Sequence, residues 1–187
     1  YNNGDDYAWI RAPITNEGIG RSYGIELTIE KPFSNKLYFL STGSLYTSQY
    51  KGSNDIYRNT AFNGNYIFNI IFEREFTIDV IRNNYISLNL STTGAGGRRY
   101  TPEVGNGNIA PDDSRAFELK YKDYFRTDLK LTLHQNFTKI SQEISLDIRN
   151  IFNRKNVFER FYDDNIRSFS YVYQPGVLPL ISYEINF

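Results

Sequence analysis

The stretch Tyr124-Phe-Arg-Thr-Asp-Leu-Lys-Leu-Thr-Leu-His-Gln-Asn-Phe-Thr-Lys-Ile-Ser-Gln-Glu-Ile-Ser-Leu-Asp-Ile-Arg-Asn-Ile-Phe152 decides the fold. In its first half Phe125, Thr127, Leu129, Leu131 and Leu133 fall on one side, and Tyr124, Arg126, Asp128, Lys130, Thr132 and His134 on the other. A period of two is that of a β-strand, whose successive side chains point to opposite faces. In the second half Ile144, Leu146 and Ile148 alternate with Glu143, Ser145, Asp147 and Arg149. With Lys139-Ile140 as a two-residue turn, Leu131 stands opposite Ile148, Leu133 opposite Leu146, Lys130 opposite Arg149 and Thr132 opposite Asp147. Both apolar sets then share one face; an odd loop length would divide them, because a slip of one residue turns every side chain over. Lys130 facing Arg149 is unfavourable, but Asp147 and Asp128 are their diagonal neighbours. The charged face of this hairpin calls for water.

Composition bounds the solvent that the apolar face meets. The chain has 187 residues and a net charge of zero, which removes the electrostatic case for a nucleic-acid partner. It has no cysteine, excluding disulfide frameworks, zinc thiolate sites and cysteine nucleophiles. It has no methionine either, and it opens on Tyr1-Asn2-Asn3-Gly4 without a charged or apolar leader, as expected of a processed chain or a piece of a longer one. No run reaches the roughly 18 apolar residues of a spanning helix. The longest, Tyr66 to Phe72, is interrupted by Asn69.

Read in order, the chain is a succession of strands. Tyr1 to Glu17 is a polar loop with Trp9 and Pro13. Strand one, Arg21 to Phe33, sets Tyr23, Ile25, Leu27 and Ile29 against Ser22, Gly24, Glu26, Thr28 and Glu30. Ser34-Asn35 is a tight turn into strand two, Leu37 to Tyr50. A two-residue turn puts Tyr38, Leu40 and Tyr46 on the apolar side, a three-residue turn Phe39 and Leu45; the former is expected. Lys51 to Thr60 is a loop, Phe62 to Glu73 strand three, Arg74 to Asn84 a turn region and Tyr85 to Arg99 strand four. The connection Tyr100 to Lys122 is the longest. Strands five and six are the opening hairpin. Glu159 to Arg167 is a loop, and the last segment ends with Ile181, Tyr183, Ile185 and Phe187 alternating against Ser182, Glu184 and Asn186.

Seven antiparallel, sequentially adjacent strands follow, an all-β up-and-down meander with tight turns at one end and longer polar loops at the other. Transmembrane barrels have that asymmetry, with an apolar outer band, aromatic girdles and a polar interior. Tyr38, Tyr46, Tyr50, Tyr100, Tyr124, Phe125, Phe152 and Phe187 stand near strand ends, where girdle residues belong. A soluble β-sandwich, for instance a glycan-binding module with stacking tyrosines, shares the alternation. The two differ in whether the apolar face is left uncovered or meets a second sheet about 10 Å away. A single-chain bacterial barrel has an even number of strands, at least about eight, so seven are expected to be a fragment.

Several blocks also carry a likeness. Asn16-Glu17-Gly18 to Glu26, Thr42-Gly-Ser-Leu-Tyr46, Arg58-Asn-Thr-Ala-Phe-Asn63, Ala95-Gly-Gly-Arg-Arg-Tyr-Thr-Pro102, Tyr121-Lys-Asp-Tyr-Phe-Arg126, Asp147-Ile-Arg-Asn150 with Asn153, Asn156 and Val157, and the terminal Phe187 resemble the C-terminal part of TonB-dependent outer-membrane receptors. The branch most alike is that from Bacteroidota with an N-terminal carboxypeptidase-like regulatory domain. The resemblance spans nearly the whole chain, residues 1–187. It implies a fragment of a 22-stranded transmembrane β-barrel in the outer membrane of a Gram-negative bacterium, serving uptake of a scarce ligand such as a siderophore, metal complex, glycan or peptide. It also implies lipid contact by the band Leu129, Leu131, Leu133, Ile144, Leu146, Ile148, Ile181, Tyr183 and Ile185. The implied partners are the plug domain and remaining strands of the same receptor, the TonB complex acting through N-terminal parts absent here, and the outer-membrane assembly machinery, which would read Ile181, Tyr183, Ile185 and Phe187.

Chemical motifs add little. Gly94-Ala-Gly-Gly97 before Arg98-Arg99 lacks the Lys-Ser/Thr and helix of a phosphate loop. His134, the one histidine, is expected to be wetted and without the partners of a metal site or triad. Asp112-Asp113 and Asp163-Asp164 lack the spaced oxygens of a calcium loop, and Glu26, Glu30, Glu143 and Asp147 are expected as ion-paired lining. No catalytic residue, metal or cofactor is assigned. Loops on a rigid scaffold collect binding residues, so Arg98, Arg99, Tyr100, Tyr124 and Arg126 are the candidates for an anionic or sugar-bearing ligand. The competing expectation is that these arginines pair with Asp112, Asp113, Asp123 or Asp128 and fix the loop.

Overall fold

The computed structural model describes residues 17–52, 54–104, 110–163 and 165–187. Trp9, Pro13, the glycine and asparagine run 105–108 and Asp164, all expected in loops, lie outside the described residues. Seven long strands form one antiparallel sheet: β1 (Ile19–Ser34), β2 (Leu37–Lys51), β3 (Tyr66–Asp79), β4 (Asn84–Ala95), β5 (Tyr124–Asn136), β6 (Ser141–Arg149) and β7 (Leu178–Asn186). Each is hydrogen-bonded to its neighbours in sequence, so the sheet is a meander without crossovers. Among the described residues the only helical element is the 3-10 turn Asp113–Arg115. The number and order of the long strands are those the alternation predicts, whereas the start of β3 moves from Phe62 to Tyr66 and two ends move as well. β3 continues through Phe76 to Asp79 instead of ending near Glu73, and β4 stops at Ala95, short of Arg99.

Two registers differ from expectation. In the β5–β6 hairpin Leu131 pairs with Leu146, Leu133 with Ile144, Thr132 with Ser145 and Lys130 with Asp147. Residues 137–140 all belong to the turn, closed by a 2.8 Å bond from the Phe137 amide to the Ile140 carbonyl. The slip of two residues leaves the facing unchanged and replaces the unfavourable Lys130–Arg149 pair with an opposite-charge one. The β1–β2 correction reverses a face. The turn is Asn35-Lys36, both at positive φ (51° and 61°), as a two-residue hairpin turn requires. A bulge between Lys31 and Ser34 then shifts the pairing by one residue, setting Ile25 opposite Leu45 and Lys31 opposite Phe39. Phe39 and Leu45, and not Tyr38, Leu40 and Tyr46, therefore share the side of Ile25 and Leu27.

With these registers the alternating apolar sets of all seven strands lie on one face, while Leu40, Ile67, Ile71, Leu178 and Leu180 fall on the other. One ladder row reads Lys31–Phe39–Phe72–Leu90–Leu129–Ile148–Pro179, and its neighbour reads Leu37–Arg74–Leu88–Leu131–Leu146–Ile181. No hydrophobic residue is buried among the described residues, and Ile25 and Ile181 are 72% and 80% exposed. The apolar band crosses the sheet diagonally. On β1 it occupies Tyr23 to Ile29, on the loop side of the Lys31–Pro179 row; on β7 it occupies Pro179 to Ile185, from that row toward the short turns. The opposite face carries polar ladders, such as Thr42–Asn69–Thr93 joined by side-chain bonds of 3.3 and 2.9 Å, and the buried Thr132–Ser145 pair at 2.9 Å.

Three connections expected as plain loops are partly stranded. Tyr57–Asn59 pairs with the end of β2. In the long connection Arg99–Tyr100 pairs with Leu119–Lys120, and Glu103–Val104 with Ala110–Pro111. Val157–Asp163 and Ser168–Tyr173 form a hairpin of their own. The Gly94–Gly97 run lets backbones approach closely: the Phe68 ring covers Gly94, and a Cβ on Gly97 would overlap the Tyr121 carbonyl. Gly97→Ala is therefore expected to cost about 1–3 kcal/mol by overpacking. Gly43→Ala, where a Cβ meets nothing within 4 Å, should stay within about 0.5 kcal/mol of the parent. Urea titration of the two variants checks this; equal effects would contradict the close approach at Gly97.

Candidate functional site

The connections at the loop end converge around β4 and β5. Asp123, just ahead of β5, accepts bonds from the Tyr66 hydroxyl at 2.7 Å and the Gly97 amide at 3.0 Å, and pairs with Lys120 at 3.4 Å. Tyr66 foremost, then the Gly97 amide, holds its carboxyl below the usual aspartate range. Three buried asparagines complete this end of the sheet. Asn63 Oδ1 accepts from the Ser48 amide at 3.0 Å. Asn156 accepts from the Phe125 amide at 3.0 Å and donates to the Phe125 carbonyl at 2.8 Å, as a neighbouring strand would. Asn150 donates to the Arg154 and Pro175 carbonyls and accepts from the Arg154 amide. Each supplies the partners that a buried polar group needs.

The five candidate ligand residues divide into two groups. Arg99 is consumed by the scaffold, donating to the Asn63 carbonyl at 2.9 Å, the Glu118 carbonyl at 3.2 Å and Asn65 Oδ1 at 3.3 Å. Tyr100 stacks on Tyr121 with ring centroids 4.5 Å apart, and burial raises the Tyr121 phenol above its ordinary value. Arg98 is exposed, with one long contact of 3.4 Å to the Phe158 carbonyl. Tyr124 and Arg126 belong to β5 and share its polar face. Arg126 pairs with Asp128 at 2.9 Å. Pairing with an acid thus holds for Arg126 alone, while Arg98 and Arg99 find carbonyl oxygens instead. Arg126, Asp128, Lys130, Asp147 and Arg149 line a polar recess of about 240 Å³ together with Asn89 and Ser91. Three cations face two carboxylates there, which favours an anionic or hydroxyl-rich occupant.

Arg160 is the residue that sequence reasoning misses. Its guanidinium lies 3.6 Å from the Phe169 ring centroid and 4.6 Å from that of Tyr100, and it pairs with Glu103 at 2.7 Å with only 10% of its side chain exposed. It thereby pins the 157–173 hairpin to the long connection. The signal was present: two aromatic-rich runs, Val157 to Tyr162 and Ser168 to Tyr173, flank the turn residues 163–165.

The remaining motifs resolve simply. His134, expected to be wetted, is half-buried: it stacks on Tyr85 at 4.2 Å and meets Glu143 at 2.8 Å, because β4, β5 and β6 set the three side by side. Asp147 pairs with Arg149, and Glu26 accepts from the Ser44 hydroxyl. Asp112 caps the 3-10 turn through the Ser114 amide. No acidic or histidine cluster suited to a metal ion occurs among the described residues. Ile181 and Tyr183 stand exposed on the apolar face beside Leu146 and Ile144, Ile185 is half-buried, and Phe187 follows β7 at 95% exposure.

No protein-family model, curated protein or solved structure matches the chain.

The Asp123 carboxyl supports a pH prediction. Its folded value is depressed, so the stability that its charge contributes is present above the ordinary aspartate value and is lost as pH falls through the folded value. Asp123→Asn should be less stable than the parent near neutrality, with the difference shrinking as the solution is made acidic. Urea titrations of both proteins at neutral and acidic pH check it; a constant difference would mean that the charge contributes nothing.

Proposed function

We propose that the chain is a wall segment of a transmembrane β-barrel in the outer membrane of a Gram-negative bacterium, part of a TonB-dependent receptor that takes up a scarce ligand. The observation that carries this reading is the uncovered apolar face shared by all seven strands. In water such a face is costly at roughly 25 cal/mol per Å² of apolar surface. In lipid it is the required outer surface.

The diagonal run of the band supports the same reading. Across the six strand-to-strand steps from β1 to β7 the band moves about 26 Å along the strands for about 29 Å across them, at roughly 3.3 Å per residue and 4.8 Å per strand. A horizontal band on strands tilted by about 40° has that slope, and barrel strands tilt by roughly 35–45°. On β1 the apolar run is bounded by Arg21 and Lys31, about 33 Å apart along the strand. At that tilt the height is about 25 Å, the thickness of a barrel's apolar band. The soluble β-sandwich would need a second sheet, yet the strand contacts join hydrogen-bonded neighbours. Among the described residues β1 and β7 each have one unpaired side in the sheet, which the remaining strands of the receptor would occupy. The plug would face the polar side, the TonB complex would act through N-terminal parts, and the assembly machinery would read Ile181, Tyr183, Ile185 and Phe187.

Site-directed spin labels test the facing directly, since the chain has no cysteine to interfere. In vesicles, labels at Leu146→Cys and Ile181→Cys should be accessible to oxygen, which partitions into lipid, and labels at Lys130→Cys and Ser182→Cys to a water-soluble nickel chelate. Equal accessibility on the two faces would sink the wall. For the ligand, exposed Arg98 and recess-lining Arg126 remain candidates, joined by Tyr124 at the same end, whereas Arg99 and Tyr100 hold the loops. Arg98→Ala and Arg126→Ala should lower uptake per receptor at normal surface abundance, and Arg99→Ala should lower abundance instead. Unchanged uptake per receptor in the first two would remove them from the site.

A further inference from the structure

A groove runs along the apolar face between β1 and β3. β2 presents Phe39, Ser41, Gly43 and Leu45 to that face, and the small Ser41 and Gly43 lie between Leu27 and Ile29 on β1 and Phe68 and Ile70 on β3. Gly43 keeps the floor open, because a Cβ there would meet no heavy atom within 4 Å. In the same ladder row the Phe68 ring covers Gly94 on its other side. The part bordered by Ile25, Leu27, Gly43, Leu45 and Phe68 is an open trough of about 400 Å³.

Two cations stand where the groove approaches the short turns. Lys31 pairs with Phe39 and Arg74 with Leu37, so both lie on the apolar face on either side of β2. Among the described residues neither has a carboxylate partner. Lys31 donates to the Ser34 carbonyl, the Ser34 hydroxyl and the Leu37 carbonyl, each at 3.0 Å and each neutral. Arg74 lies 6.0 Å from the Phe76 ring centroid.

We propose that this groove holds an acyl chain of an anionic phospholipid whose phosphate is bound by Lys31 and Arg74. The inference rests on the membrane-wall reading and adds a lipid site to it. A void on a lipid-facing surface forfeits dispersion contacts that a close-fitting chain restores. The charge decides the headgroup: two cations without acids at the border of an apolar band attract a phosphate, and attract a lipid of net negative charge more than a zwitterionic one. The bulge between Lys31 and Ser34 belongs to the site, because it keeps Lys31 and Phe39 on the groove side.

The experiment is native mass spectrometry of the detergent-solubilised full-length protein after exchange with phosphatidylglycerol or phosphatidylcholine, each variant first being inserted into phosphatidylcholine vesicles. The parent should retain phosphatidylglycerol over phosphatidylcholine by roughly tenfold, as expected for two unpaired cations. Gly43→Leu, which fills the floor, should lower retention of both lipids by about tenfold. Lys31→Gln combined with Arg74→Gln should abolish the preference. Ser41→Leu fills the floor from the next row and serves, with the same expected loss, should Gly43→Leu fail to insert. A parent without headgroup preference, or a filled groove with unchanged retention, overturns the lipid site alone. A parent that does not insert into vesicles overturns the wall, and the site with it.

Discussion

Every property of this sheet depends on six antiparallel ladders keeping one parity. Side chains alternate between faces, so an apolar surface seven strands wide exists only if each turn contributes a compatible residue count. The β5–β6 turn does so with residues 137–140. The first hairpin does not: Asn35-Lys36 alone would pair Ile25 with Tyr46 and turn Leu45 away. The bulge between Lys31 and Ser34 absorbs one residue and restores Ile25 to Leu45. A second bulge, between Thr77 and Asp79, acts in the β3–β4 hairpin.

The same parity explains what was legible in the sequence. Alternation in Tyr124 to Phe152 identified two strands and their faces, and an error of two residues in the turn left the facing of Leu131 and Leu146 intact. At the first hairpin, moving the turn from Ser34-Asn35 to Asn35-Lys36 would also have kept the facing; the bulge between Lys31 and Ser34 shifts the pairing by one residue and reverses Tyr38, Leu40 and Tyr46. Pro32 hints at an edge or a bulge, since it cannot donate to the ladder, but it does not say how many residues a bulge absorbs, so the face of β2 could not be read from its turn. Of the candidate site, the location at the loop end was legible and the division of labour was not. Arg98, Arg99 and Arg126 have the same chemistry in the sequence, yet one is exposed, one fastens three segments and one pairs within its own strand.

The loop end depends on isolated contacts between residues far apart in the chain, which periodicity cannot reveal. Asn156 meets Phe125, Arg99 meets Asn63, and Arg160 meets Glu103, Tyr100 and Phe169. An asparagine amide carries a donor and an acceptor at nearly the spacing of a peptide group, so Asn156 extends the ladder of β5 where β6 has ended. These contacts fasten the 157–173 hairpin and the long connection to the sheet. The polar recess around Arg126 is lined by β4, β5 and β6 themselves, so its groups are held by the sheet, a condition for recognition without a large ordering cost.

Two features of the sheet call for partners, and they restrict one another. Among the described residues the apolar face is uncovered, and the outer sides of β1 and β7 are unpaired in the sheet. A second sheet packed on the face would cover the side chains and leave both edges with open N–H and C=O groups, a template for aggregation. Further strands added at the edges would pair the backbone and leave the face exposed. In the wall we propose, closure into a barrel within lipid satisfies both, since lipid tolerates the apolar face and permits no open edge. The diagonal of the band fits that solution, because closure requires tilted strands and a tilted strand crosses a horizontal membrane obliquely. On the proposed reading, the cations Arg21 and Lys31 mark where β1 leaves the hydrocarbon, and the short turns and folded loops extend into water on its two sides.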